Sequence, residues 1–185
     1  MLSNKNINYA VSFINPEEII SSLGIRPGMR IAHFGCGTGF FTFPTAKIVG
    51  EEGGVYAFDI LAEKIETVMS RAKLDGLFNI SAKRANLEKT GGAGLPDESV
   101  DWVFMVNMLY ENTNKQEVMA EAERVLKPGG KILLIDWDDS NQSIGPEMNR
   151  RVSKDELISI IGKNKLAVEK KIKVSNFHFG WIISK

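Results

Sequence analysis

The stretch of this chain best suited to holding a small molecule is His33-Phe34-Gly35-Cys36-Gly37-Thr38-Gly39-Phe40-Phe41. Three alternate glycines let a backbone turn tightly and approach a ligand without Cβ interference, at the mouth of a helix. The spacing is G-x-G-x-G, whereas the pyrophosphate fingerprint G-x-G-x-x-G needs glycine at position 40, where Phe40 stands. A P-loop is excluded, because no Gly-Lys-Ser/Thr follows. Taken alone, the run also suits a plain strand-to-helix turn. Asp59 closes the run Val55-Tyr56-Ala57-Phe58-Asp59, 20 residues beyond Gly39. An acid there can accept both hydroxyls of a ribose, or start the helix that begins near Leu61. Asn86, in Ala85-Asn86-Leu87, can meet a nucleobase edge as donor and acceptor, or simply serve a turn.

Further along, a second group of residues could act on whatever such a ligand reacts with. Tyr110 and Glu111 follow an apolar run, and Glu111 can serve as a general base or begin a solvated turn. Trp137 can stack on a planar molecule or fill a core, and Asp138 and Asp139 follow it. Arg150 and Arg151 can clamp an anion or remain solvated. Tyr9 can fold over the site from the N-terminal arm. His178 sits within a strand-like run and reads as structural.

Positioning these groups requires an alternation of strands and helices. Short β-rich runs fall at Arg30–Phe34, Gly54–Phe58, Ile80–Arg84, Val100–Asn107 and Lys131–Trp137. Between them, Leu61, Ile65, Val68, Met69 and Ala72 form one helical stripe, and Val118, Met119, Ala122, Val125 and Leu126 another. Asn15-Pro16-Glu17-Glu18 and Ser153-Lys154-Asp155-Glu156 carry helix-start signatures, and Asn114-Lys115-Gln116-Glu117 resembles one. Lys127-Pro128-Gly129-Gly130 reads as a helix stop. The strand Val100–Asn107 is apolar on both faces, as in a covered parallel sheet. Leu166–Val174 and Phe177–Ser184 are joined by Ser175-Asn176 alone, which is too short for a parallel crossover and predicts an antiparallel hairpin.

Composition bounds the rest. Lysine plus arginine and aspartate plus glutamate each total 23 in 185 residues, so the formal net charge is zero. That balance disfavours a nucleic-acid partner. The basic cluster Lys163, Lys165, Lys170, Lys171 and Lys173 lacks interleaved aromatics and reads as a solvated sheet edge. Cys36 is the only cysteine, which excludes an internal disulfide and any multi-cysteine zinc site, and nothing marks a metal site. No apolar run reaches the roughly 18 residues of a membrane span, and the first residues lack a signal-peptide pattern. These features predict a cytoplasmic chain without a membrane partner.

In order and spacing, HFGCGTGFF, the acid of YAFDI, ANLEK, LPDESVDWVFMVNMLYE and RVLKPGGKILLIDW resemble the motifs of class I methyltransferases that use S-adenosylmethionine. The match runs from about Pro27 to Trp137. Gly145-Pro146, Arg151-Val152-Ser153 and Phe177–Gly180 are similar to the C-terminal arm of small stand-alone methyltransferase-domain proteins of bacteria and archaea. The resemblance implies an α/β fold with a Rossmann-like, doubly wound, seven-stranded sheet. That sheet would be mostly parallel, with an antiparallel C-terminal strand and helices on both faces. It also implies one domain over 1–185, with an N-terminal arm at 1–15 and a loop at 138–152 near the acceptor site.

By the same resemblance, Gly35, Gly37 and Gly39 pass under the methionine and ribose of the donor, with His33 and Cys36 in the same loop. Asp59 holds the ribose hydroxyls, Ile60 packs on adenine, Asn86 and Leu87 meet the adenine edge, and Asn107 lies near the sulfonium. Glu111 and Tyr110 are the candidate catalytic pair. Two departures stand out: the family usually has an acid at the position of His33, and commonly Asp at that of Asn86. A protonated His33 would repel a cationic donor, so donor affinity is expected to fall as pH drops through about 6.5. The implied activity is methyl transfer by in-line displacement to a small-molecule acceptor. The open alternative is a module that binds the donor without catalysis. The fourth motif, Val106-Asn107-Met108-Leu109-Tyr110, lacks the Asn/Asp-Pro-Pro-Tyr/Phe of amide and exocyclic-nitrogen methylation.

Overall fold

A computed structural model describes residues 14–139 and 144–185. Tyr9, nearly all of the N-terminal arm and residues 140–143 of the 138–152 loop lie outside the described residues. The chain runs α1 (Pro16–Ser22), β1 (Arg30–Phe34), α2 (Thr42–Val49), β2 (Gly54–Asp59), α3 (Ala62–Leu74), β3 (Ile80–Arg84) and β4 (Val100–Val106). A 3-10 turn (Leu109–Glu111), α4 (Lys115–Val125) and β5 (Leu126–Trp137) follow. A second 3-10 turn (Met148–Arg150), α5 (Lys154–Lys163), β6 (Ala167–Lys173) and β7 (His178–Ser184) complete it.

The seven strands form one sheet in the order β3-β2-β1-β4-β5-β7-β6. All pairs from β3 to β5 are parallel, and β7 runs antiparallel to both of its neighbours. Winding therefore reverses between β1 and β4, and the crevice beyond their carboxyl ends is where such sheets take ligands.

Alternating strand residues divide between two apolar clusters. Ala32, Phe34, Val103, Met105, Ile132 and Leu134 pack with Val118, Met119 and Ala122 of α4 and Leu157, Ile160 and Ile161 of α5. Ile31, Val55, Phe104, Leu133 and Ile135 pack on the other face with Ile19 and Ile20 of α1 and Ala46 and Val49 of α2. Ile65 and Val68 of α3 join Ala57 of β2 beside Phe43 of α2. Period-2 strands between period-3.6 stripes thus produce helices on both faces, as the motifs implied.

Local signals mostly hold. Asn15 Oδ1 accepts from Glu18 N (3.3 Å), and Ser153 Oγ from Glu156 N (3.1 Å). Three expectations are corrected. The Asn114 side chain makes no capping bond; its own N–H instead donates to Glu88 Oε2 at 3.1 Å. The helix does stop before Lys127, with α4 ending at Val125, but the strand expected from Lys131 already begins at Leu126. Val100 pairs with Leu126 and Trp102 with Lys131, so the proline and glycines bulge within the ladder. The hairpin connection is Val174–Phe177, wider than two residues, and Ser175 Oγ closes it by accepting from Phe177 N and His178 N. Helix α2 showed no stripe in the sequence, because its buried face includes Thr42 and Thr45, and Thr45 donates to Phe41 O.

Candidate functional site: two cavities that meet at Glu111

A cavity of about 680 Å³ opens beyond the carboxyl ends of β1, β2, β3 and β4, within the size range of small-molecule sites. It gathers residues far apart in sequence: His33 in β1 with Gly35, Cys36 and Gly37 after it, and Asp59 at the end of β2 with Ile60 after it. Asn86 and Leu87 after β3 and Asn107 after β4 complete the expected set. Gly39 is the exception. It does not line the cavity; a Cβ there would lie 2.4 Å from the Phe43 ring, so this glycine serves the packing of α2. Gly35 is held against the next motif, where a Cβ would sit 2.7 Å from that of Met108.

Asp59 ties the glycine loop and the entry to α3 to the end of β2. Its Oδ2 accepts from Gly37 N (2.9 Å), and its Oδ1 from Leu61 N at the start of α3 (3.0 Å). Each oxygen keeps capacity for a further donor. Cys36 N donates to Phe58 O at 2.8 Å, tying the glycine loop to β2. Burial pushes the Cys36 thiol up to about 12, so it stays protonated and is not a nucleophile. Asn86 Oδ1 accepts from Glu88 N at 3.0 Å, the turn role open to it in the sequence.

His33 corrects the pH expectation. It is buried at 2% exposure, its Nδ1 lies 2.8 Å from Thr42 Oγ1, and it meets Phe41 and Phe104 edge-on. Desolvation pushes its pKa down to about 3, so the ring is neutral throughout the range in which it was expected to charge.

Asn107 leaves β4 with φ +51, a left-handed conformation that Asn tolerates better than most residues. Its N–H donates to Ile135 O (2.8 Å), its Nδ2 lies 3.2 Å from His178 Nε2, and its buried Oδ1 has no partner among the described residues. The other ring nitrogen, Nδ1, lies 2.8 Å from Ser175 Oγ. The same imidazole lies 4.2 Å from the Trp137 ring, tilted by 38°. Burial and the Arg151 charge lower His178 to about 4, which keeps the ring neutral. The structure thus gives His178 a place between two site residues that sequence reasoning missed. Its partners lie 71 and 41 positions away, and no local pattern marks them.

Glu88 was likewise unmarked. Its Oε1 accepts from Asn112 Nδ2 (2.9 Å) and Thr113 N (3.0 Å), and its Oε2 from Asn114 N. The Asn112 bond leads in holding its carboxyl below the usual range. This carboxylate clamps the segment after the 3-10 turn against the cavity. Three carboxylates, Asp59, Glu88 and Glu111, line the space with one ammonium, Lys64, so its field favours a cation.

A second cavity, of about 430 Å³, adjoins the first; Glu111 lines both. Its walls are Tyr110, Trp137, Ile144, Gly145, Pro146 and Arg150. Tyr110 OH donates to Glu111 Oε1 at 2.8 Å, and burial leads in raising the phenol to about 12, so the proton stays on tyrosine. Beneath the turn, buried Asp136 accepts from Leu109 N (3.1 Å) and Trp137 N (2.8 Å), and burial raises it to about 7.

The pair of arginines divides. Arg151 is buried, and its guanidinium donates to the carbonyls of Pro146, Asp138 and Ile144, so it shapes the loop rather than clamping an anion. Arg150 lines the cavity, its guanidinium 5.7 Å from the centre of the Tyr110 ring. Asp138 and Asp139 do not line it; both pair with Lys154, at 3.0 and 3.3 Å.

Residues 25–180 match the family model described as methyltransferase domain. A ubiquinone/menaquinone biosynthesis C-methyltransferase of Shewanella pealeana is 33% identical over 126 residues, covering 68% of this chain and 49% of that protein. The chain spans about half the length of the curated relatives it matches. The crystal structure of a SAM-dependent methyltransferase from Aquifex aeolicus superposes with a TM-score of 0.86 at 27% identity, covering 97% of this chain and 94% of that one. An arsenic(III) S-adenosylmethionine methyltransferase from Chlamydomonas reinhardtii shares the fold at 23% identity and a TM-score of 0.69, covering 85% of this chain and 63% of that one. No helix among the described residues is long and apolar enough to cross a membrane. The chain belongs to the methyltransferase-domain family, the class I fold whose methyl donor is S-adenosylmethionine.

Proposed function

We propose that this chain transfers a methyl group from S-adenosylmethionine, held in the larger cavity, to a small-molecule acceptor in the smaller one. The observation that carries this reading is the meeting of the two cavities at a single carboxylate, Glu111. The residues present fit the donor. The larger cavity is net acidic, which suits a sulfonium and an ammonium. The buried Asn107 Oδ1 is an acceptor without a donor, and the two Asp59 oxygens can still receive hydroxyls.

In this reading Gly35, Gly37, Cys36 and neutral His33 form the floor, and Asp59 takes the ribose. Ile60, Leu87 and Asn86 flank the base, and Asn107 stands nearest the sulfonium. When bound, S-adenosylmethionine supplies a methyl group already activated by a sulfur that keeps the electron pair of the broken bond. The chain's own task is to hold the acceptor in line and to receive its proton. Tyr110 OH fixes one oxygen of Glu111, which leaves Oε2 to take a proton from an attacking O–H or N–H. The described residues 144–150 of the 138–152 loop, held by Arg151, wall the acceptor side of one domain working in the cytoplasm. Neutral His33 removes one ground for reading the chain as a non-catalytic scaffold. The relative that acts in quinone biosynthesis supports a small organic acceptor rather than a nucleic acid.

Calorimetric titration with S-adenosylmethionine and S-adenosylhomocysteine at pH 7.5 tests the donor site. Micromolar binding of both, about −8 kcal/mol, is expected; no binding up to millimolar concentrations overturns the reading. Glu111→Gln should retain that affinity while turnover on an O–H or N–H acceptor falls about 100-fold.

A further inference from the structure

Around the smaller cavity the charged groups have hydrogen-bond partners among the described residues except Arg150, and the partner of Glu111 is a neutral one. Glu111 receives the Tyr110 hydroxyl, Asp136 receives two backbone N–H groups, and Asp138 and Asp139 pair with Lys154. Arg151 is engaged by three carbonyls. Arg150 alone faces the cavity as an exposed guanidinium with no ion pair among the described residues. It lies at the end away from the donor, since it lines only the smaller cavity, whereas Glu111 lines both. The half-buried Tyr110 ring forms an aromatic wall of the same cavity, and Trp137 lies buried at its base, packed by His178, Gly145 and Arg151.

Resting on the methyl-transfer reading above, we propose that the acceptor is a small planar carboxylate. Its ring lies along Tyr110 above buried Trp137, its carboxylate meets Arg150, and its nucleophilic O–H or N–H points to Glu111. A guanidinium recognises a carboxylate through two parallel N–H donors, a geometry that a neutral amide cannot reproduce and an ammonium opposes. Flat aromatic walls favour a planar body over a branched one.

The test is calorimetry on the protein saturated with S-adenosylhomocysteine, titrated with 3-hydroxybenzoate, 3-hydroxybenzamide and 3-hydroxybenzylamine. The carboxylate should bind at least tenfold more tightly than the amide, and the amine should bind most weakly. Arg150→Met should erase the carboxylate's advantage, and Arg150→Lys should restore part of it, with S-adenosylhomocysteine affinity unchanged in both. Equal affinities, no binding by any of the three, or an advantage that survives Arg150→Met would overturn the proposal while leaving the donor reading intact. Failure of S-adenosylhomocysteine to bind would overturn both.

Discussion

The two cavities are built from different materials. The larger is made by strand ends and the backbone that leaves them: the glycine loop after β1, Asp59 at the end of β2, Asn86 after β3 and Asn107 after β4. The smaller is made mostly by segments beyond the strands, namely the 3-10 turn and the 144–150 loop, with Trp137 at the tip of β5 its one strand-end residue. A ligand read by strand ends is tied to the topology of the sheet. A ligand read by loops can change while the sheet stays as it is. One scaffold can therefore keep its donor and exchange its acceptor.

Substitutions that separate the two regions should break this division if it is wrong. The largest effect is expected from Asp59→Ala, which removes a carboxylate from two backbone donors and from the ribose. Affinity for S-adenosylhomocysteine should fall about 100-fold, consistent with loss of charged hydrogen bonds worth about 1.5–3 kcal/mol, as read by calorimetry. Next comes Arg151→Met, which strands three carbonyls of the acceptor loop. Urea unfolding should show a loss of about 2 kcal/mol, and binding of 3-hydroxybenzoate should weaken while donor affinity holds. An equal loss on both ligands would mean that the two sites are not separable.

His178→Phe sharpens the comparison, because this ring touches one wall residue of each cavity. Phenylalanine keeps the contact with Trp137 but cannot bond Asn107. Donor affinity should fall about fivefold, the effect of one hydrogen bond of about 1 kcal/mol, and 3-hydroxybenzoate binding should change less. A larger loss on the acceptor side would assign the ring to Trp137 rather than Asn107.

The smallest effects are those of pH. With His33 neutral down to about 3, donor affinity should stay within about twofold from pH 8 to 5.5. Stability should respond instead. The lowered histidines, at about 3 and about 4, make the unfolded chain bind more protons below pH 6.5, so they raise stability as pH climbs to that point. Asp136, raised to about 7, does the opposite: the native state keeps a proton that the unfolded state has lost from about pH 4 upward. Urea midpoints for Asp136→Asn should therefore rise more steeply up to pH 6.5 than those of the parent chain. Parallel profiles would show that Asp136 is ionised in the fold.

What was legible in the sequence follows the same division. Glycine spacing, an acid after an apolar run and the short hairpin connection are local signals; with the motif resemblance they located the parallel sheet, its antiparallel strand and about half of the residues that line the larger cavity. Gly39 stands against Phe43 rather than in the cavity lining, and a glycine required by packing looks the same in sequence as one required by a ligand. The role of His33 depended on burial between Phe41 and Phe104, which spacing does not convey. Arg151 and Arg150 are adjacent and chemically identical, yet one is enclosed by carbonyls and the other faces a cavity. Glu88 and His178 act across distances of 24 and 71 positions, so only the fold brings out their partners.

The order of the strands has a consequence for how this chain is made. Strand β7 follows β6 in the chain but lies between β5 and β6 in the sheet. As the chain leaves the ribosome, the β5 edge, with Ile132, Leu133, Leu134 and Ile135, can be complete while the strand that covers it has yet to emerge. An unpaired apolar edge invites pairing with other chains. During synthesis the chain therefore passes through an interval of greatest exposure that ends only when Phe179, Trp181 and Ile183 slide into the gap. Slow translation of the β6–β7 hairpin would lengthen that interval, a burden borne by the cell's chaperones rather than by the finished fold.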